Sequence, residues 1–321
     1  MGYKEVFIQL PEKRFFWSFW TQQIRYYKGL FVLLNELKAD GVAPYCIHAQ
    51  VAWKCGFDAA LLGWRFGIPF LVTEHNTDWL PEDRSYPFWK RMLSRWALKR
   101  ARAVTAVSEK LGLAIETELN KQVEVIPNVI HSVFLNTPRQ PEPKVPVFLH
   151  ISNFRNQHKQ TDLIVKVFSQ FAEENKSVRL QLNVPGGEFD AFKQTHPQYS
   201  WDRIEWLPPS TDRETLADRM SKATCLISYS RFETFGLTLA EAACLGVPSI
   251  YTPCGGADVF FNDSMGAKCD ADDEQSLLQA MRHAAKPGRF DRVQIAETAG
   301  QLFSNDKVLK AYEKLYRNIA G

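Results

Sequence analysis

The feature that most constrains the fold is an alternation of strand-like and helix-like segments that occurs twice along the chain. Strands that alternate with helices build a parallel sheet that helices cover on both faces. Before residue 130 the strand-like segments are YCIHA, IPFLVTEH, AVTAVS and VEVIPN. After residue 144 they are VPVFLHIS, VRLQLNV, RIEWLP, ATCLISYS and PSIYTP. The sequence therefore predicts an α/β protein of two Rossmann-like domains with parallel sheets.

The segment between the two alternations, TPRQPEPKVP, has four prolines in ten residues and no hydrophobic periodicity. Prolines at this density interrupt helices and strands, and they are typical of linkers. We therefore predict an N-terminal domain over residues 1–129, a linker over 130–145 and a C-terminal domain over 146–303. Residues 304–321 are predicted to form a helix that packs back toward the first domain.

Composition excludes several classes of function. A formal net charge of +3 over 321 residues gives no electrostatic reason to expect a nucleic-acid partner. No apolar run approaches the roughly 20 residues that span a bilayer. The six cysteines include no C-x-x-C pair, which argues against a zinc site. We expect a cytoplasmic protein with reduced thiols and no bound metal.

Basic residues are concentrated in one helix-like segment, WKRMLSRWALKRAR, which covers residues 89–102. One interpretation is a helix that lies on an anionic membrane surface, which would make the protein peripheral at the inner face of the membrane. The other is an ordinary surface helix whose long basic side chains cover apolar neighbours. The sequence leaves both interpretations open.

Two glutamates, Glu233 and Glu241, are separated by seven residues in RFETFGLTLAEAACLGVPSIYTPCGG. The segment has the layout of a loop, a helix and a glycine, Gly246, placed to cap the helix C-terminus. In Rossmann-like domains ligands lie beyond the carboxyl ends of the strands, where helix N-termini bind anions. A diphosphate can rest on the amides of Gly236, Leu237 and Thr238.

The two carboxylates then serve different parts of one elongated ligand. Glu241 is surrounded in sequence by apolar residues, so its carboxylate requires a partner, and ribose hydroxyls are suitable donors. Glu233 reaches toward whatever lies beyond the diphosphate. For Glu233 an ordinary exposed side chain is an equally good interpretation. A sugar nucleotide has hydroxyl groups at both ends and would occupy both glutamates.

The segment FETFGLTLAEAACLGVPSIYTPCGG resembles the E-x7-E signature of the retaining glycosyltransferases of family 4, which have the two-domain GT-B fold. Further segments resemble the family in the same order, and the resemblance covers nearly the whole chain from Tyr45 onward. These segments are IPFLVTEHNTD, AVTAVSEKL, VEVIPNVIHSVF, HISNFRNQHKQTDLIVKVF and CDADDEQSLLQAM. The resemblance implies transfer from a UDP- or GDP-linked sugar to a saccharide or lipid-linked acceptor, without a cofactor, in bacterial surface polysaccharide or glycoconjugate synthesis.

The resemblance also implies a role for each candidate residue. Glu233 would contact the donor sugar near the reacting carbon, and Glu241 the ribose. Arg155 and Lys159 would hold the diphosphate, which gains negative charge as the anomeric bond breaks and needs fixed cations. His75 would face the acceptor and the donor sugar from the first domain. Retention implies either two displacements or attack on the face of the leaving group. No second carboxylate is evident as a nucleophile, so the resemblance favours same-face attack, with a diphosphate oxygen taking the acceptor proton.

Two further motifs lie near these residues. CDADDEQSLL contains a D-x-D pattern, which binds metal in another transferase fold. Because it directly precedes a helix-like segment, we predict that Asp272 or Asp273 is an N-cap. Gly255 and Gly256 follow a strand and are predicted to form a turn that faces the ligand. The predicted donor-binding residues are Phe235, Gly236, Leu237, Thr238, Glu241, Gly255 and Gly256.

The start of the chain departs from the family pattern. Family members begin with a strand, a glycine-rich loop and a helix, whereas MGYKEVFIQLPEKRFFWSFW starts beyond them. We therefore expect an incomplete first domain, with an exposed sheet edge and an apolar surface near residues 15–20 that favours self-association. Two other functions stay open: a non-catalytic donor-binding remnant that acts through a partner, and a sugar-nucleotide epimerase of the same fold.

Overall fold

The computed structural model describes residues 18–83, 86–154, 157–210, 212–303 and 305–320. These residues cluster into two compact units. The first unit draws on Met1–Ala106, Gly112–Glu124 and Tyr312–Gly321, and the second on Val107–Leu111 and Val125–Ala311. Arg155, the predicted phosphate ligand, lies outside the described residues. The side chains of the predicted apolar surface at residues 15–20 also lie outside them.

A four-stranded sheet forms the centre of the first unit, with the strands in the order β1-β2-β3-β4. The strands are β1 (Ile47–Gln50), β2 (Phe70–Glu74), β3 (Ala103–Ala106) and β4 (Glu124–Val125). β2 pairs in parallel with β1 and with β3. Every residue of β2 is buried, which is typical of a parallel strand covered on both faces.

Four helices occur between residue 18 and the end of this sheet: α1 (Ser18–Ala39), α2 (Phe57–Phe66), α3 (Phe88–Arg100) and α4 (Glu109–Leu119). α2 begins at Phe57, directly after an irregular segment that contains Trp53. The preceding turn is irregular because Val51 and Lys54 have positive φ angles of 69° and 66°. α2 ends at Gly67, whose φ of 70° is left-handed and whose N–H donates to the carbonyl of Gly63.

A six-stranded parallel sheet forms the centre of the second unit, in the order β10-β9-β8-β5-β6-β7. The strands are β5 (Val147–Ile151), β6 (Arg179–Asn183), β7 (Ile204–Leu207), β8 (Cys225–Ser228), β9 (Ser249–Tyr251) and β10 (Gly266–Lys268). The chain moves from β5 to β7 on one side and then returns to fill the other side. β5 and β8 are therefore the neighbouring strands between which the direction of winding reverses.

The remaining helices are α5 (Ser132–Asn136), α6 (Thr161–Glu174), α7 (Gly186–Thr195), α8 (Arg213–Ser221), α9 (Leu237–Cys244), α10 (Glu274–Ala284), α11 (Arg292–Leu302) and α12 (Asn305–Ala320). α6 buries Ile164, Phe168 and Phe171 at helical spacing in the core of the second unit. α5 lies within the segment predicted as a linker, and its Phe134 is completely buried. Residues 138–146 form neither helix nor strand.

Both sheets are parallel and alternate with helices along the chain, which confirms the predicted fold class. Gly246 is the second residue after α9, has a left-handed φ of 74° and donates its N–H to the carbonyl of Ala243, so the predicted glycine cap is confirmed. No helix in the described part of the chain is long and apolar enough to cross a membrane.

Candidate functional site

Lys159 and Glu233 form an ion pair in the second unit. Lys159 ends a short 3-10 turn (Gln157–Lys159) after β5, and Glu233 lies in the loop after β8. The Ser230 hydroxyl also donates to Glu233, at 3.2 Å from Oε1. Both charged side chains are mostly buried, with 22% and 15% of their surface exposed. The structure thus places two predicted site residues together, beside the two strands between which the sheet reverses.

The loops after β5 and β8 are held to each other by further contacts. The backbone N–H of Arg231 donates to the carbonyl of His158 at 2.8 Å. The imidazole of His158 stacks on the ring of Phe232, with 4.9 Å between centroids. These contacts flank Lys159 and Glu233 in sequence, so they fix the separation of the two charged residues.

The loop after β9 supports the same residues from the other side. The backbone N–H of Ser230 donates to the hydroxyl of Thr252 at 3.0 Å, and that hydroxyl donates to the carbonyl of Ser230 at 2.5 Å. Thr252 is buried. This reciprocal pair holds Ser230 in the position from which it reaches Glu233.

Gly236 is the N-cap of α9 and has a left-handed φ of 80°. Its carbonyl accepts from the N–H groups of Leu239 and Ala240, at 3.0 and 3.3 Å. The N–H groups of Leu237 and Thr238 belong to the first helical turn, so they have no acceptor within the helix. Leu237 is 43% exposed at this end of α9. An anion can therefore approach these amides next to a glycine that presents no side chain.

Glu241 lies in the middle of α9 and is half-buried. Burial raises the pKa of its carboxyl to about 7, although the charge of Arg213 acts in the opposite direction. Within the described ranges its carboxylate has no hydrogen-bond or ion-pair partner. The half-buried carboxylate of Glu241 therefore still requires a partner, and the ribose hydroxyls as that partner stay a prediction.

Gly255 and Gly256 form a tight turn after β9. The backbone N–H groups of Cys254, Gly255 and Gly256 donate to the carboxylate of Asp258, at 3.0, 3.1 and 2.8 Å. A Cβ atom at Gly256 would lie 2.3 Å from the carbonyl oxygen of Phe235. Gly256 is therefore needed for close packing of this turn against the loop before α9, and the amides face Asp258 in this structure.

Phe235, another predicted donor-binding residue, has a buried side chain. Its ring meets that of Phe303 edge to face, with 6.2 Å between centroids. Its carbonyl accepts from the N–H of Ala257 at 2.6 Å. Phe235 thus anchors the loop from the core, and Gly236 and Leu237 follow it at the surface.

The D-x-D pattern occupies the start of α10. Asp273 is the N-cap of that helix and accepts from the N–H of Ser276 at 3.0 Å, so the N-cap prediction is confirmed. Asp272 forms an ion pair with Arg231, with 2.7 Å between the atoms. No group of three His, Cys, Asp or Glu side chains in the described part of the chain is arranged to hold a metal ion.

In the first unit, His75 follows β2 and is held by Gln50 at the end of the neighbouring strand. His75 Nε2 donates to Gln50 Oε1 at 2.7 Å. Gln50 Nε2 in turn donates to His48 Nε2 at 3.1 Å. Gln50 therefore bridges two histidines, which sequence reasoning missed. The available signal was its position two residues after His48, on the same side of β1.

The ring of His48 contacts further polar groups. Its Nδ1 lies 2.6 Å from the Tyr316 hydroxyl, and its Nε2 lies 2.7 Å from the Thr73 hydroxyl. The Thr73 hydroxyl also lies 2.7 Å from that of Thr105. Burial, helped by the charge of His75, lowers the pKa of His48 to about 4. His48 is therefore neutral at physiological pH.

Glu74 fixes the loop that carries His75. Its buried carboxylate accepts from the backbone N–H groups of Ala52, His75 and Asn76 at 2.8 to 2.9 Å, and from the indole N–H of Trp79 at 3.0 Å. Desolvation raises the pKa of Glu74, while these donors lower it. The sequence signal was a carboxylate inside an otherwise buried strand, which requires partners.

Comparison with family models agrees with this arrangement. Residues 4–132 match the model described as Glycosyltransferase Family 4, and residues 145–286 match the one described as Glycosyl transferases group 1. The chain belongs to glycosyltransferase family 4. Its two matched segments correspond to the two alternations of strands and helices.

Among characterised relatives, the glycosyltransferase is 27% identical over 306 residues to N-acetyl-alpha-D-glucosaminyl L-malate synthase of Bacillus anthracis. The match covers 89% of this chain and 75% of that protein. It is 25% identical over 282 residues to the phosphatidylinositol N-acetylglucosaminyltransferase gpi3 subunit of Schizosaccharomyces pombe. That match covers 85% of this chain and 60% of the yeast protein, so the chain spans less than two thirds of this relative.

Solved structures share the fold. Sucrose-phosphate synthase from Thermosynechococcus elongatus superposes with a TM-score of 0.78 at 21% identity, over 93% of this chain and 78% of that one. Anabaena HepE in complex with UDP and glucose superposes with a TM-score of 0.70 at 17% identity, over 85% and 78%. The glycosyltransferase therefore has the GT-B fold.

Proposed function

We propose that this glycosyltransferase transfers a sugar from a nucleotide-sugar donor to a hydroxyl of a saccharide or lipid-linked acceptor, with retention at the anomeric carbon. The observation that carries the proposal is the Lys159–Glu233 ion pair, which lies between the loops after β5 and β8. Ligands of doubly wound sheets bind at the point where the strand order reverses. A cation and a carboxylate at that point suit a diphosphate joined to a sugar.

The diphosphate is placed at the start of α9. The first-turn amides of Leu237 and Thr238 donate to its oxygens, and Gly236 lets the phosphate approach the backbone. Lys159 supplies a positive charge, and Arg155 is proposed as the second cation from the sequence alone. Glu241, whose carboxylate has no described partner, accepts from the ribose hydroxyls.

The bond changes follow from this placement. The bond between the anomeric carbon and the diphosphate oxygen breaks, and its electron pair stays on the diphosphate. Lys159 turns from Glu233 to that growing charge and stabilises it. Glu233, released from the ion pair, accepts from hydroxyls of the donor sugar. The acceptor oxygen bonds to the anomeric carbon on the same face, and its proton passes to the departing diphosphate oxygen.

His75 is proposed to contact the sugars during this step. Two groups hold it in place, since Glu74 accepts from its backbone N–H and Gln50 accepts from its ring Nε2–H. Fixed donors and acceptors need no reorganisation when the charge develops, which is the main advantage of a preorganised site.

UDP-N-acetylglucosamine is the first donor to test, with GDP-linked sugars as the alternative. Two observations support this order. The HepE structure contains UDP, and both relatives described above are named for N-acetylglucosaminyl transfer. We further propose that the reaction serves bacterial surface polysaccharide or glycoconjugate synthesis, at the cytoplasmic face of the membrane.

Thermal stabilisation by nucleoside diphosphates and their sugars, measured in EDTA, tests the donor site. The proposal expects one nucleotide to stabilise the protein. It expects Lys159→Ala to reduce stabilisation by the nucleoside diphosphate, while His75→Ala, which removes a proposed contact to the sugars, preserves that stabilisation. A product assay on the best donor then follows. Stabilisation by no nucleotide, or only after Mg²⁺ or Mn²⁺ is added, contradicts the proposal.

We also propose peripheral membrane contact through α3. Trp89, Met92, Trp96 and Arg100 recur at intervals of three or four residues and so share one face of the helix. Trp89 is 40% exposed and Met92 53%, and the Arg100 guanidinium lies 4.2 Å from the centre of the Trp96 ring. Exposed aromatic residues beside basic ones are typical of interfacial helices.

Sedimentation with vesicles tests this contact. We expect binding to vesicles that contain phosphatidylglycerol and much weaker binding to purely zwitterionic vesicles. Met92→Glu should abolish binding, whereas Leu113→Glu, at an exposed position on α4, should not. Equal binding of the two variants contradicts the proposed contact.

A further inference from the structure

An apolar cavity of about 400 Å³ lies in the first unit between α1, β1 and α2. Its walls include Leu30, Leu33 and Leu34 of α1, Ile47 of β1 and Leu62 of α2. The three α1 leucines are only half-buried, although they face the sheet side of their helix. A volume of this size falls in the range of about 300–1,000 Å³ that is typical of small-molecule sites.

The lining becomes polar at the carboxyl end of β1. His48 and Gln50 line the cavity there, and Gln50 Oε1 accepts from His75 Nε2. One residue therefore belongs both to the cavity wall and to the hydrogen-bond chain that holds the candidate catalytic histidine. The ring of His48 already contacts the hydroxyls of Tyr316 and Thr73. This end of the cavity is thus polar and carries no charge.

The chemistry of these walls selects a ligand class. Leucine and isoleucine side chains offer no partner to sugar hydroxyls or phosphates, whose burial without hydrogen bonds is costly. A hydrocarbon chain instead gains from leaving water, by about 0.8 kcal/mol for each buried methylene group. An occupant with a chain in the cavity and a hydroxyl-bearing head at Gln50 matches both the apolar and the polar parts of the lining.

We propose that this cavity binds the hydrocarbon chain of an amphipathic acceptor and places the acceptor's head group beside Gln50 and His75. The inference rests on the proposed function and narrows it, because it selects a lipid-linked acceptor over a free saccharide. The hydrocarbon chain of the acceptor is held by burial alone. The cavity therefore accepts related hydrocarbon chains and distinguishes them by length.

Cys55 provides a readout of occupancy that needs no transfer reaction. It lines the cavity and is half-buried. We would follow its alkylation by N-ethylmaleimide with peptide mass spectrometry, in the presence of monomeric dodecyl maltoside or of maltose. Cys46, also half-buried but not part of the lining, serves as the internal control.

At a dodecyl maltoside concentration about ten times its Kd, we expect alkylation of Cys55 to slow by about tenfold, because the cavity is then mostly occupied. Maltose should have no effect, and Cys46 should react at the same rate throughout. Leu33→Trp, which fills the cavity, should remove the protection. Val32→Trp, at a 52% exposed position of the same helix, should leave it intact.

Other outcomes overturn the inference. Three results would each show that the hydrocarbon chain is not bound in this cavity: protection of Cys55 by maltose, equal protection of Cys46, or no protection of Cys55 in the unmutated protein. Protection that depends on protein concentration instead of the glycoside assigns the cavity to a second copy of the chain. These results do not depend on whether Leu33→Trp folds.

Acceptor competition separates this inference from the proposed function. With the donor identified, a dodecyl glycoside should show a KM at least about tenfold below that of the methyl glycoside with the same head. If donor is bound and hydrolysed but the two acceptors have equal KM values, the cavity inference is wrong and the proposed function stands. If no donor is bound, the proposed function fails while the Cys55 experiment still tests the cavity.

Discussion

Lys159, at the end of a short 3-10 turn, forms an ion pair with Glu233, which lies in a loop 74 residues further along the chain. The two loops follow β5 and β8, which are neighbours in the sheet. The pair thus joins the residue proposed to bind the diphosphate to the one proposed to bind the sugar. In the absence of donor each charge neutralises the other, so both can be kept mostly buried.

The two members of the pair should differ in their effects on binding. Lys159→Ala removes a charge-assisted contact worth about 1.5–3 kcal/mol, so it should weaken nucleoside diphosphate binding by roughly 10- to 100-fold. Glu233→Gln should leave that affinity nearly unchanged and lower transfer by about 10²–10³. Titration calorimetry and single-turnover transfer measure the two effects separately.

Lys166→Ala is the matched control, because Lys166 on α6 also pairs with a glutamate, Glu274, but its side chain is 44% exposed. It should change neither quantity. Equal loss of diphosphate affinity in Glu233→Gln and Lys159→Ala would remove the separate roles assigned to the two residues.

Glu241 should make stability depend on pH in a predictable direction. Its pKa is raised from 4.5 to about 7, so the folded state holds an extra proton between these values. Stability is therefore lost as pH rises through this window and is constant above it. Glutamine does not titrate, so the Glu241→Gln variant does not lose stability in this way. Relative to the unmutated protein, its free energy of unfolding should rise by about 1–3 kcal/mol between pH 5 and pH 8.

Urea unfolding at several pH values checks this expectation, with Glu214→Gln at an exposed position of α8 as the control. Binding gives an independent check. Since the ionised carboxylate is proposed to accept from ribose, Glu241→Gln should weaken nucleotide-sugar binding more at pH 8 than at pH 5. Parallel pH profiles for Glu241→Gln and the unmutated protein would show that the raised pKa is wrong.

The parts of the site that the sequence predicts are those set by local chemistry. The cap at Gly246 and the N-cap at Asp273 depend on a few neighbouring residues, and both are confirmed. The strand and helix alternation is likewise a local pattern, so the fold class was predictable. α5 was missed, because a five-residue helix depends on the burial of one side chain, Phe134.

The parts that the sequence does not predict are contacts between distant segments. The sequence pointed to Lys159 and Glu233 separately, but their pairing follows from the strand order of the sheet. Gln50 and Glu74 were missed because their partners lie on other strands and loops. The Asp258 carboxylate, which occupies the amides of the glycine turn, was missed for a similar reason, since its role depends on backbone geometry.

Gln50 should act by positioning His75. Gln50→Ala removes the acceptor of the His75 Nε2–H and should lower kcat by about tenfold without changing nucleotide affinity. Gln50→Glu keeps an acceptor and adds a negative charge, which favours protonated His75. It should restore part of the rate and move the pH–rate profile to higher pH.

Gln181→Ala provides the control, because Gln181 on β6 donates to Glu205 on β7, within the six-stranded sheet of the second unit. It should leave kcat and its pH dependence unchanged. An unshifted pH profile in Gln50→Glu, with kcat unaffected in Gln50→Ala, would show that the contact has no part in the reaction.

Gly256 should be intolerant of any side chain. A Cβ at this position meets the carbonyl oxygen of Phe235 at 2.3 Å, so Gly256→Ala displaces the loop that leads into α9. We expect a loss of about 1–3 kcal/mol in the free energy of unfolding, together with weaker nucleotide binding. Gly187→Ala, where no heavy atom lies within 4 Å, should have neither effect. Unchanged nucleotide affinity in a folded Gly256→Ala protein would argue against donor binding at this end of α9.

Proton NMR of the anomeric region tests the proposed function most directly, because it detects turnover and its stereochemistry together without a known acceptor. The protein is mixed with an α-linked nucleotide sugar in EDTA, and spectra are recorded before the released sugar can equilibrate between anomers. The proposal predicts that the sugar first released to water, or first transferred to an added acceptor, is the α anomer, and that Lys159→Ala slows its appearance. First release of the β anomer, or turnover no faster than in Lys159→Ala, would contradict the proposal.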